Sequence, residues 1–136
     1  MTPVATLRSP IDAYRAELRA GRMVLQRCDS CAYVRPPASH VCPQCLSERW
    51  RWQALQGSAV VEGLTWYLQP LDERFTEVPY NAVLVRLHEG VRMIANVEAV
   101  QPGDLQVGQR LTAHIATGRM GNPVLAFRPA GPATTQ

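Results

Sequence analysis

A chain of 136 residues that is 46% hydrophobic and 18% charged has the make-up of an ordinary globular protein, with room for one compact domain or a small domain and a satellite. No run of about 18 apolar residues occurs, which excludes a membrane-spanning helix, and the opening MTPVATLRSP lacks a secretory layout, so the expected compartment is the cytoplasm. The net charge of +3 rests on fourteen arginines and no lysine; residues 1–52 carry +4 and residues 53–136 carry −1, which is not the dense basic stripe of a nucleic-acid binder.

Residues 1–8 read as a loose arm. Ser9-Pro10 then looks like a helix start, with Ser9 as N-cap, Pro10 at the first helical position and Asp12 near the positive end of the dipole. Ile11, Tyr14 and Leu18 fall on one face, and Gly21 suits the left-handed position that ends a helix. About three turns are too short to stand alone, so the face must dock on the chain itself or on a partner. The segment 22-RMVLQR-27 alternates as a short strand running into the cysteines.

All four cysteines lie in 28-CDSCAYVRPPASHVCPQC-45, with the spacing C-x2-C-x10-C-x2-C. Each CxxC lets two thiolates of one tight turn reach a single ion, and two facing turns complete a tetrahedral shell with bonds of about 2.3 Å. The spacer turns at Pro36-Pro37 and brings the chain back. Cys28, Cys31, Cys42 and Cys45 are therefore expected to hold structural Zn2+, since a full thiolate set leaves no position for water or substrate. Iron in the same shell would make a rubredoxin-like electron carrier, but Ala32 and Leu46 stand where such knuckles usually have glycine. His40 is redundant beside four thiolates.

From Gln53 onward short β-rich runs dominate: strands are expected near 57–68, 81–88, 91–97, 109–116 and 123–129. Glu89-Gly90 reads as a two-residue hairpin loop, Gly57 and Gly63 as a bend or bulge in the first long strand, and 100–109 as a turn. Five such strands match a five-stranded OB-fold barrel better than a sandwich. The organisation is then an arm and helix over 1–21, a zinc ribbon over 22–52, the barrel over 53–130 and a disordered tail over 131–136. Trp50 and Trp52 should cement the ribbon to the barrel.

No catalytic constellation emerges. His88 and His114 have no nucleophile nearby in sequence, the carboxylates Asp72, Glu73 and Glu77 read as solvent-facing, and there is no P-loop, GxGxxG or GxSxG. Trp66 beside the loop 69–80 and Arg119 in the loop 117–122 could frame the usual ligand face of an OB fold, an aromatic for a base and an arginine for a phosphate. Packing competes as the role of Trp66.

The chain resembles the DUF35 family of OB-fold, acyl-CoA-associated proteins over residues 11–129. The resemblance is carried by 20-AGRMVLQRCDSC-31, 42-CPQC-45, Trp50 and Trp52, 57-GSAVVEGLTW-66, Pro79-Tyr80, 84-LVRLHEGVRMIANV-97, 107-VGQRLTAHI-115 and 125-LAFRPA-130. It implies a mainly β protein with an N-terminal helix, a rubredoxin-like zinc ribbon and an OB-fold barrel, without catalytic residues of its own. It further implies an accessory subunit that binds a thiolase-like enzyme or an acyl-CoA hydratase or lyase and assists acyl-CoA binding or channelling. A single-stranded nucleic-acid module is the alternative, and a rubredoxin-like electron carrier a third.

Overall fold

In the computed structural model, residues 9–68, 80–118 and 120–131 are described. Helix α1 (Pro10–Arg19) starts with the predicted proline at its first turn, but Ser9 contributes no side-chain cap; its carbonyl accepts the Ala13 N–H instead. At the other end Gly21 takes φ 84°. The Gly21 N–H reaches the Leu18 carbonyl, and the Arg22 N–H reaches that of Glu17, a Schellman closure that needs the left-handed residue. The buried face is Pro10, Ala13, Tyr14 and Leu18. Ile11, expected on that face, is 41% exposed, because the stripe turns past it once Ala13 packs inward.

The cysteine region contains a three-stranded antiparallel sheet, order β2-β1-β3, of β1 (Val24–Cys28), β2 (Val34–Arg35) and β3 (Trp50–Ala54). Of these strands only β1 is expected from the sequence, near 22–27. Strand β3, 50-WRWQA-54, alternates apolar and polar residues but is only five residues long, and its pairing along the whole of β1 orders it. Trp52 stacks edge-on to Trp50 with centroids 4.6 Å apart and tilts against Tyr14 at 6.1 Å. It therefore fastens the helix to the ribbon, in a cluster with Leu18, Val24, Ala38 and Ile115.

The second sheet has five antiparallel strands in the order β6-β5-β4-β7-β8: β4 (Ser58–Tyr67), β5 (Tyr80–Leu87), β6 (Arg92–Ala95), β7 (Arg110–Thr117) and β8 (Pro123–Pro129). It curls into a half-barrel whose ends meet at one parallel bridge, Val97 with Phe127. There the Phe127 N–H reaches the Asn96 carbonyl and the Glu98 N–H reaches that of Phe127. The bulge expected in the first long strand falls between Val61 and Gly63 and bends β4 around the core. The β5–β6 loop is three residues, His88–Gly90, rather than two. Arg86 faces Arg92, Leu87 bonds to Val91, and Gly90 occupies the left-handed position at φ 89° that closes such a loop. Inward positions Val61, Val83, Val85, Leu111 and Phe127 are all at or below 1% exposure, and Leu25 of β1 joins them at 0%.

Candidate metal centre

Two turns of the same build present the four sulfurs. In the first, the Ala32 N–H returns to the Cys28 carbonyl and the Cys28 N–H to that of Tyr33; in the second, Leu46 returns to Cys42 and Cys42 to Ser47 in the same pattern. Ala32 and Leu46 both take φ 66°, the left-handed conformation in which glycine would be unstrained. Backbone N–H groups point at the sulfurs, Ser30 at Cys28 over 3.3 Å and Gln44 at Cys42 over 3.4 Å. Ser30 Oγ donates to Ser47 Oγ across 3.0 Å and so links the two turns.

The sulfurs of Cys28, Cys31, Cys42 and Cys45 all lie within 4.8 Å of one another, with Cys28–Cys45 at 3.5 Å and Cys31–Cys42 at 3.6 Å. Tetrahedral bonds of about 2.3 Å require sulfur separations of roughly 3.8 Å, so the donor set fits one ion. Cys28 and Cys42 are buried, Cys31 and Cys45 exposed, and none is in a disulfide. As thiols the four cannot all ionise at this distance. The Cys31 N–H holds the Cys28 thiol down at about 6, against burial. At Cys42 burial is the largest influence, yet the N–H groups of Gln44 and Cys45 together keep it low. Cys31 is pushed up to about 12: the Tyr33 N–H favours its thiolate, but burial and the neighbouring sulfurs prevail. Cys45 is raised as well, with the Ser47 N–H outweighed chiefly by the Cys28 sulfur and by burial.

Trp66 lies at the end of β4, half-buried against the main core. Its indole Nε1 is buried and has no hydrogen-bond partner among the described residues. Arg119 lies outside the described residues, as do the acidic cluster Asp72, Glu73 and Glu77 and the tail from residue 132. His114 of β7 approaches Glu98 at 2.6 Å, a pair that sequence distance conceals, since Glu98 lies in the connection after β6. His40 is exposed and is not in the sulfur cluster. Among the described residues no helix is long and apolar enough to cross a membrane.

Two cysteine turns on a small ribbon, joined to a curled five-stranded OB-type sheet, define a ribbon-plus-OB protein with a four-sulfur cluster that could hold a metal ion. Two family models match the chain in that order: "ChsH2, rubredoxin-like zinc ribbon domain" over residues 15–51 and "ChsH2, C-terminal OB-fold domain" over residues 52–116. The chain belongs to the DUF35 family. A solved chain described as "Ltp2-ChsH2(DUF35) aldolase" superposes with a TM-score of 0.79 at 26% identity, covering 94% of this chain and 100% of that one. A DUF35 protein of unknown function from Sulfolobus solfataricus shares the fold, with a TM-score of 0.59 at 17% identity over 88% of this chain and 84% of its own. A curated relative, the probable enoyl-CoA hydratase alpha subunit of Thermomonospora curvata, is 31% identical over 111 residues, 82% of this chain. This chain spans 34% of the length of that relative.

Proposed function

We propose that this protein is a non-catalytic accessory subunit of an acyl-CoA-processing enzyme, with one structural Zn2+ held by Cys28, Cys31, Cys42 and Cys45. The observation that carries the reading is the match along the full length of the Ltp2-ChsH2(DUF35) chain, whose description joins a DUF35 protein to an aldolase. The hydratase relative supports the same chemistry of partner. The partner is a thiolase-like enzyme or an acyl-CoA hydratase or lyase, and the subunit assists acyl-CoA binding or channelling. Four protein thiolates close the zinc shell, so the metal would add rigidity and no open coordination position. Trp66 and Arg119 are the proposed contacts to the nucleotide end of CoA. The unspent indole N–H of Trp66 supports its part in this, because a buried donor without a partner is costly to keep.

The test is affinity purification of the full, tagged chain from its native cell, with assay of the chain alone and of the recovered complex on acyl-CoA substrates. The expected result is a stoichiometric acyl-CoA enzyme whose activity falls when the subunit is stripped away and returns on adding it back. Hydration, thiolysis or carbon–carbon cleavage by the purified chain alone would overturn the accessory role.

A further inference from the structure

The outer face of the five-stranded sheet gathers cations that the sequence scatters over more than forty positions, from residue 86 to residue 128. Register places Arg92, Arg86, Val60 and Arg110 in one row across β6, β5, β4 and β7. The adjoining row carries Ser58, Thr112 and Arg128. Their chain neighbours Ala59, Val61, Val85, Leu87, Leu111 and Phe127 are buried, so these side chains point the other way, to solvent. All four arginines are exposed.

Glu62, at the bulge of β4, is the acid shared by two of them: it receives the Arg92 guanidinium at 2.5 Å and lies 3.3 Å from Arg86. Arg110 and Arg128 form no ion pair among the described residues. Like charges across neighbouring strands are destabilising, and a surface that needed only solubility would mix signs. A shallow groove of about 270 Å3 lies beside the first row, lined by Ser58, Val60, Arg86, His88 and Arg110. That is below the roughly 300–1,000 Å3 that encloses a drug-sized ligand. Beside the charged rows Ile94 stands 65% exposed opposite Leu84. Arginine next to an apolar strip is the composition of a protein interface, where the guanidinium fork binds carboxylates through two hydrogen bonds. Single-stranded nucleic acid needs aromatic platforms, and none stands in these rows.

We propose that this face docks an acidic protein surface, with Arg110 and Arg128 taking its carboxylates and Ile94 its apolar contact. The inference deepens the accessory-subunit reading and rests on it for the partner's identity, which is the acyl-CoA enzyme. Two measurements test it on the full, metal-loaded chain. The first follows binding of a labelled deca-glutamate peptide and of a twelve-nucleotide oligo-dT at low and moderate salt. The second follows binding of the enzyme recovered in the purification above. R110E/R128E should weaken both peptide and enzyme at least tenfold with melting temperature and metal content unchanged, and R110K/R128K should retain part of the affinity. Wild-type-like enzyme binding by R110E/R128E overturns the docking face and leaves the accessory role standing. Recovery of no enzyme sinks the accessory role and its named partner; the peptide arm then decides whether the face binds acid. Tighter binding of oligo-dT than of deca-glutamate through the same arginines overturns the proposal in favour of nucleic acid.

Discussion

Leu46 holds a left-handed backbone at φ 66° while leaving 75% of its side chain in water. Neither feature favours leucine there. A side chain in that conformation costs about 1–2 kcal/mol, against roughly 0.5–1 kcal/mol of extra chain entropy lost by glycine. Leu46→Gly should therefore stabilise the second cysteine turn by about 0.5–1 kcal/mol, read as a higher melting temperature and slower loss of metal to a competing chelator. A lower melting temperature would show that Leu46 packs usefully. The thiols yield two further expectations. Cys28→Ser or Cys42→Ser removes a buried ligand and should abolish stoichiometric zinc and unfold the ribbon, since metal binding there is folding energy. Atomic absorption and far-ultraviolet dichroism would check this, and one retained equivalent of zinc would contradict it. Cys31 and Cys45 hold their protons through neutral pH, whereas Cys28, at about 6, has already released its own. Metal binding must then expel at least the protons of Cys31 and Cys45 at neutral pH, so affinity should rise as pH rises. Calorimetry in buffers of different ionisation enthalpy measures the count. The cysteine cluster was legible in the sequence because its spacing is local and its chemistry leaves few options. Trp66 was not, because whether an aromatic at a strand end packs or binds depends on what curls over it.

Asn81 shows what a single side chain does for an element. It is 5% exposed and bonds both ways to the backbone of Val97, donating to its carbonyl at 2.9 Å and accepting its N–H at 2.8 Å. Asn81 thus stands in for a strand neighbour and sets Val97 where it meets Phe127 across the seam of the half-barrel. Asn81→Ala leaves a buried donor and acceptor unpaired and should cost about 2–4 kcal/mol. Urea unfolding reads the loss, and a change below about 1 kcal/mol would mean that the seam holds without it. The five long strands were legible because alternation on a half-buried sheet repeats every second residue. Strand β3 and the true length of the β5–β6 loop were not. The first alternates but is a run of only five residues, too short to stand out before it pairs with β1; the second is set by where Leu87 meets Val91, a register fact that local pattern does not encode.

Across the whole molecule the two sheets share one interior. Leu25, from the middle of the ribbon sheet, is wholly buried in the same cluster as Val83, Val85 and Phe127, with Met23 and Val34 packed alongside. The helix spans the same junction, its cluster drawing on Val24 and Trp52 of the ribbon and Ile115 of the half-barrel. Metal removal should therefore be felt in the barrel. Scanning calorimetry after chelation should show the main transition lowered by roughly 5 °C or more. Two independent transitions, with the second unmoved by chelator, would show that the sheets melt separately. The class of fold was readable from the order helix, cysteines, strands; the fusion of the two cores was not, because Leu25 and Val34 look like ordinary strand residues until the barrel closes on them.

The buried place of Leu25 also bears on how such proteins can be recombined. Cutting the chain after residue 52, where the sequence changes texture, would divide a hydrophobic interior rather than a linker. A barrel begun at Gln53 would display the sockets of Met23, Leu25 and Val34 and should self-associate. Exchange of ribbons between relatives then succeeds only when these three residues and the surface they fill travel as one inherited block.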